Sequence, residues 1–227
     1  MSADTQYIIA SSKSWHREKY EALSASVPGD WTYVSTKEEL LETVDICSPR
    51  YIFFLHWSWL VPKEIWATHE SICFHMTDVP YGRGGSPLQN LISQGKKETK
   101  IAALQMVEEL DAGPVYLKRT MSLAGRAEEI YLRAGDICYE MILSIISKTP
   151  KPVAQYGEVT LFKRRNPEQS ELPAVGGVES IYDHIRMLDA PTYPLAFVVH
   201  GDFHIEFTHA QLDKDEVSAR VKIRRKD

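Results

Sequence analysis

The chain has 227 residues, 44% of them hydrophobic, with 26 Lys and Arg against 31 Asp and Glu, a formal net charge of −5 and a pI near 5.9. That size builds one full core with room for a smaller attachment, and the acidic balance argues against a broad cationic surface, so no nucleic-acid partner is expected. No apolar run approaches the ~20 residues that span a bilayer, and the polar opening Met1–Gln6 lacks the regions of a signal peptide; the expected location is cytoplasmic, without a membrane partner. Cys47, Cys73 and Cys138 are odd in number and in no ligand spacing, so neither a disulfide framework nor a metal site is expected.

Tyr7 to Ala10 predicts a short strand, Ser11-Ser12-Lys13-Ser14 a loop and Trp15 to Leu23 a helix. Trp31 to Val34 and Tyr51 to Leu55 predict further strands, with a helix over Lys37 to Thr43 and a short one over Pro62 to Trp66. Strands alternating with helices imply an α/β fold around a parallel sheet covered on both faces. Ser71 to Phe74 is then a central strand, and ligands of such sheets lie beyond the carboxyl ends of the strands. His75 stands at such an end. A helix begins near Pro87, strands follow at Thr99 to Met106 and Val115 to Met121, and Ala127 to Ser147 is a long amphipathic helix. Pro150 and Pro152 stop it and place the boundary, giving a main domain over 1–150 and a small mixed subdomain over 151–227. The subdomain is expected to hold a strand at Val159 to Phe162, a helix at Val178 to Leu188, and strands at Leu195 to His200 and Phe203 to Thr208 joined by a Gly201-Asp202 turn. The basic ending Lys222 to Lys226 reads as a solvated strand end or tail.

The stretch Cys73 to Gln89 places His75 between an apolar strand and a glycine-rich loop. Gly82, Gly84 and Gly85 permit positive φ and close backbone approach, Pro87 suits a first helical turn, and Arg83 is a cationic fork for phosphate or carboxylate. Asp111 lies in the turn Leu-Asp-Ala-Gly-Pro. An imidazole held by a carboxylate is an acid/base arrangement, because the anion orients the ring and stabilises its charged form. Taken singly, each also fits a structural role, Asp111 as a turn former.

With their surroundings, these residues resemble the folate-dependent formyltransferase family, whose signature is Asn-x-His, a loop with Ser, Leu and Pro, and a later Asp-x-Gly. The matching stretches are Phe74 to Gly84 and Leu110 to Val115, with Leu60 to Ile65 upstream, in consistent order from Tyr7 to Ile146. The resemblance implies a Rossmann-like, mainly parallel sheet with a small C-terminal appendage, and transfer of a formyl group from 10-formyltetrahydrofolate to an amine. His75 would move protons and polarise the reacting oxygen, and Asp111 would orient it. The family's asparagine is replaced by Cys73, whose thiol cannot reproduce an amide's hydrogen bond. Ser58, Thr77 or Asn90 could supply the missing donor, and Cys73 could act as a nucleophile or simply fill the strand. Trp57, Ser58, Trp59 and Leu60 occupy the place of the pterin-binding loop, faced by Met106 to Leu110. Arg83, Gly84, Ser86, Arg186 and Tyr193 are the implied acceptor contacts.

The region Ile185 to Pro194 resembles the appended part of sugar formyltransferases, and His75 to Asn90 resembles enzymes of nonulosonic-acid (pseudaminic-acid type) pathways and formylation domains of peptide synthetases. Only 75 residues follow Pro152, too few for the RNA-binding domain of the transfer-RNA enzymes. The expected acceptor is thus a nucleotide-linked amino sugar, a UDP-linked 4-amino-4,6-dideoxy sugar, in surface polysaccharide biosynthesis. The alternatives are an inactive relative that binds a nucleotide sugar or folate, and a formylase acting on a carrier-bound amino acid.

Overall fold

The computed structural model describes residues 5–226; of the polar opening, residues 1–4 lie outside the described residues. In chain order the elements are β1 (Gln6–Ala10), α1 (Arg17–Ser26), β2 (Asp30–Val34), α2 (Lys37–Ile46), β3 (Tyr51–Phe54), α3 (Lys63–Trp66), β4 (Ser71–His75), β5 (Arg83–Gly84) and α4 (Pro87–Ser93). There follow β6 (Glu98–Gln105), β7 (Val115–Ser122), α5 (Ala127–Lys148), β8 (Leu161–Phe162), α6 (Val178–Arg186), β9 (Ala196–His200), β10 (Phe203–Asp213) and β11 (Glu216–Arg225). They fall into two compact units. The first takes the chain up to Arg83 together with Lys100–Met121 and Leu132–Leu161; the second takes Gly84–Thr99, Ser122–Tyr131 and the chain from Phe162 onward. No helix among the described residues is long and apolar enough to cross a membrane.

The first unit is built on a six-stranded sheet in the order β2-β1-β3-β4-β6-β7. The first four strands are parallel. Ile8, Ile9, Ala10, Ile52, Phe53 and Phe54 are all at most 2% exposed, which is why these strands read as unbroken apolar runs rather than alternating ones. Ile8, Ala10, Ile52 and Phe54 pack with Leu40 of α2 and Ile65 of α3, and full burial of a side chain such as Phe54 contributes roughly 1.5–3 kcal/mol. The sheet is mainly parallel, as expected, with one reversal. β6 runs antiparallel to β4, with His75 opposite Ala102 and Cys73 opposite Leu104, and the Gln105 N–H donates to Pro114 O across the turn that leads into β7.

The order β2-β1-β3 reverses the direction of strand addition at β1 and β3, so their carboxyl ends open a crevice there. The loops after these strands meet. The Ser12 hydroxyl donates to His56 O at 2.8 Å, and its oxygen lies 2.8 Å from that of Ser58. Behind them His16 Nε2 lies 2.9 Å from His56 Nδ1, Tyr139 donates to His16 O at 3.0 Å, and a Cβ on Gly135 would stand 3.3 Å from the His16 ring.

The second unit contains the antiparallel sheet β11-β10-β9. Gly201 and Asp202 form the two-residue turn read from the sequence, with Phe203 opposite His200 and Gly201 at φ 55°. The basic ending lies in or directly beyond β11, an edge strand paired with β10 from Phe203↔Arg225 to Asp213↔Glu216.

Burial lowers the His56 ring to about 4, and burial with the neighbouring His56 and Lys19 charges lowers His16 to about 2. Both are neutral in the fold and titrate at their ordinary value, near ~6.5, once unfolded. The unfolded state therefore binds more protons as the pH falls below ~6.5, and stability present above that value is lost towards the folded pKa values. The thermal unfolding midpoint should fall steadily between about pH 7 and about pH 5, and His56→Gln should flatten that slope. Differential scanning fluorimetry across a pH series reads both; an unchanged slope in the variant would rule out His56 as the source.

Candidate active site

His75 ends β4 and is 8% exposed. Its Nε2 lies 2.8 Å from Gly82 O, and since a carbonyl can only accept, Nε2 carries the proton. Nδ1 then faces Asp111 Oδ2 at 3.5 Å, with both side chains about one-tenth exposed. A proton arriving at Nδ1 makes an imidazolium whose two N–H groups each point at an oxygen, one of them a carboxylate. The pair is therefore built to take up and hold a proton in a site with little water.

The turn carrying Asp111 is fixed by its own sequence. Asp111 adopts φ 55°, a left-handed conformation that Asp tolerates better than most residues. A Cβ on Gly113 would fall 1.7 Å from Gln105 O, so only glycine lets the turn close on β6, and Pro114 O receives the Gln105 N–H. One side chain absent from the sequence reading holds this turn: Gln155 donates through Nε2 to Asp111 O at 2.7 Å and Gly113 O at 2.8 Å. No local pattern marks it, because its partners lie more than 40 positions away.

Arg83 was expected to meet an anionic substrate. It is 8% exposed, and Nε and Nη2 donate to Gln155 Oε1 at 3.1 and 2.9 Å while Nη1 pairs with Glu109 at 3.0 Å. Its fork is occupied inside the first unit. Cys73 retains some exposure, yet the protein packed around its sulfur, and secondarily the Asp111 charge, push the thiol far above its ordinary range. A neutral thiol is a weak nucleophile. Of the proposed substitute donors, Thr77 is fully buried and bonded to Gly82 O at 3.3 Å, Ser58 is exposed beside Ser12, and in the second unit Asn90 gives its amide hydrogens to Gly85, Ser86 and Lys163 carbonyls.

Trp57 packs on the core cluster of β1 and β3, as does Met106, so the loops over 56–60 and 106–110 leave from one core. Trp57 meets Trp59 edge-on at 4.9 Å. Trp59, Leu60, Val107 and Leu110 remain exposed, Leu60 at 84% and Leu110 at 60%, leaving apolar area on both loops. In the second unit a Cβ on Gly84 would meet Phe162 O at 2.5 Å, Ser86 Oγ accepts from Arg165 N at 3.0 Å, and Tyr193 stacks on Tyr131 at 5.0 Å. Arg186 is 3% exposed and donates to Asp183, Leu123 O and Gly125 O, at 2.6, 2.6 and 2.9 Å. That guanidinium is committed to joining segments of its own unit.

Residues 167–224 match the family model of the methionyl-tRNA formyltransferase C-terminal domain. The structure of methionyl-tRNA formyltransferase from Clostridium thermocellum is similar at 43% identity and a TM-score of 0.94, over 97% of this chain and 99% of that one. Methionyl-tRNA formyltransferase from Sulfurihydrogenibium sp. is 22% identical over 88% of this chain and 67% of its own length, and that from Lysinibacillus sphaericus 24% over 79% and 59%. The chain thus spans about 59% to 67% of those curated relatives. HypX from Aquifex aeolicus, solved with tetrahydrofolic acid, shares the fold at 17% identity and a TM-score of 0.73, over 90% of this chain and 37% of that one.

These similarities overturn the expectation of a nucleotide-linked amino sugar and of no nucleic-acid partner. The argument from chain length fails, since the Clostridium methionyl-tRNA formyltransferase chain is matched over nearly its whole length. With 43% identity across both chains and the His75–Asp111 pair assembled in the fold, the chain belongs to the formyltransferase family.

Proposed function

We propose that this protein transfers a formyl group from 10-formyltetrahydrofolate to the α-amino group of methionyl-tRNA. The observation that carries the chemistry is the His75–Asp111 pair at 3.5 Å with the Nε2 proton fixed on Gly82 O. The acceptor rests on the similarity to the Clostridium methionyl-tRNA enzyme over both whole chains. An amino acid esterified to an RNA is also a carrier-bound amino acid, so this reading lies nearer the alternative drawn from the sequence than its main one.

The exposed apolar side chains of Trp59, Leu60, Val107 and Leu110 fit a flat heterocycle, which needs stacking area and a few fixed hydrogen bonds. Bound there, the folate supplies the formyl group. The attacking amine must lose a proton as its nitrogen joins the formyl carbon, and His75 Nδ1 would take it, with the Asp111 carboxylate stabilising the imidazolium; as the bond from that carbon to the folate nitrogen breaks, the imidazolium would return the proton to that leaving nitrogen. Asp111 holds the ring while Gly82 O anchors its other nitrogen. Cys73 serves as filling in β4. For the RNA, the edge strand β11 offers exposed Arg220, Lys222 and Arg225, with Lys226 just beyond it, within or next to the residues that match the C-terminal domain model.

His75→Asn should lower kcat for formyl-methionyl-tRNA formation by at least about 10²-fold with KM values within about 3-fold, and Asp111→Asn should do the same, because both act on the transition state. Steady-state kinetics on folded variants checks this; turnover near wild type in either would remove the pair from the mechanism.

Cys73→Ala should keep most of the activity, since the thiol is neutral and neither attacks nor donates strongly. A folded but inactive variant would restore a covalent role for the cysteine.

Methionyl-tRNA should raise the unfolding temperature by mass action, more at low salt, and Arg220→Glu with Lys222→Glu should weaken that effect. Formylation of other amines with none of methionyl-tRNA, together with no stabilisation by it, would overturn the acceptor.

A further inference from the structure

The Gln155 amide is used to capacity: Oε1 accepts two bonds from Arg83, and Nε2 donates one each to Asp111 O and Gly113 O. Only this orientation satisfies all four partners, because guanidinium N–H groups cannot accept and carbonyls cannot donate. The two segments it ties are the two that contact the His75 ring. Gly82, whose carbonyl accepts from Nε2–H, is bonded in sequence to Arg83, and Asp111, which faces Nδ1, is held through its own carbonyl. Arg83 is further fixed by its N–H to Thr160 O at 3.0 Å and by Glu109 from the Asp111 loop at 3.0 Å.

We propose that Gln155 is a positioning residue for the acid/base pair: it sets the separation of Asp111 from His75 by fastening the 111–113 turn to the Gly82-Arg83 loop. Its role rests on the formyl-transfer reading of that pair. Without the amide, Asp111 loses the bond from Gln155 to its carbonyl in a left-handed backbone, and the carboxylate can swing away from Nδ1. A shift of about 1 Å in a catalytic group costs on the order of 10²-fold in rate. The hydrogen bonds of Gln155 go to Arg83 and to backbone carbonyls, so its loss should lower kcat and leave substrate binding in place.

The test uses the full chain carrying Gln155→Leu or Gln155→Glu. Glutamate keeps an acceptor for Arg83 and removes both donors to the turn, so it tests the clamp if the leucine variant does not fold. In the folded variants kcat should fall by about 10- to 100-fold with KM values within about 3-fold, and in an Asp111→Asn background the same change should cost less than about 3-fold. The His75 ring nitrogens, assigned in ¹⁵N-histidine spectra by their loss in His75→Asn, should shift in both Gln155 variants. Wild-type kcat with unmoved His75 resonances, or a loss that adds in full to that of Asp111→Asn, would overturn the proposal. The spectra separate the two readings: shifted His75 resonances in a protein whose wild type transfers no formyl group would support the clamp and refute the transfer reading.

Discussion

The hydrogen bond from His75 Nε2 to Gly82 O decides what the site can do. It fixes one ring proton, and so leaves the other nitrogen as the place where a proton can come and go. Asp111 stands at that nitrogen. The 2.8 Å contact to a group that can only accept places the proton on Nε2, and a second proton at Nδ1 gives that nitrogen a donor facing the carboxylate at 3.5 Å. The glycine-rich loop therefore serves first to present a backbone acceptor to His75. Gly82 itself has φ 74°, a conformation that side-chain-bearing residues rarely adopt.

Much of the first unit was legible because its strands are buried on both faces. Tyr7 to Ala10 and Tyr51 to Phe54 stand out as apolar runs, and their sheet places them side by side. β11 was harder to see. Val217, Ala219, Val221 and Ile223 alternate with polar residues as a strand should, but Arg220, Lys222 and Arg224 between them gave the segment the look of a solvated tail. The reversal at β6 was hidden for another reason: direction is set by partners distant in sequence, not by local pattern. In the site, the family resemblance paired His75 with Asp111, whereas Gln155 joins groups 72, 44 and 42 positions away and carries no local mark. Arg83 and Arg186 show the complementary error. A guanidinium fork suits carbonyls and carboxylates of its own chain as well as a substrate's phosphate, and both arginines are turned inward.

The acceptor expectation failed on an averaging argument. A net charge of −5 describes the whole chain, while an RNA meets a few nanometres of surface, within which screening by salt isolates one patch from another. β11 concentrates cations along an exposed edge while Asp and Glu elsewhere cancel them in the sum. Arg224 spends part of its charge on Glu206 of the neighbouring strand, which leaves Arg220, Lys222, Arg225 and Lys226 to set the sign of that edge.

Three residues near functional loops hold left-handed backbones without being glycine: His56 at φ 47°, Ser86 at φ 50° and Asp111 at φ 55°. Each costs on the order of 1–2 kcal/mol, and such conformations persist only where the surroundings over-determine them. The surroundings act alike in all three. The residue's own carbonyl accepts a side-chain hydrogen bond, from Ser12 at His56, from Asn90 at Ser86 and from Gln155 at Asp111. A bond to the carbonyl holds the peptide plane that sets ψ, so a side chain elsewhere fixes the backbone that the residue's own steric preference opposes. Glycine at these positions would remove the steric cost and also the imidazole beside His16, the hydroxyl that accepts from Arg165 and the carboxylate that faces His75. The chain instead keeps the side chain and places the compensating bond on a neighbour, which makes Ser12, Asn90 and Gln155 as much a part of these loops as the residues they restrain.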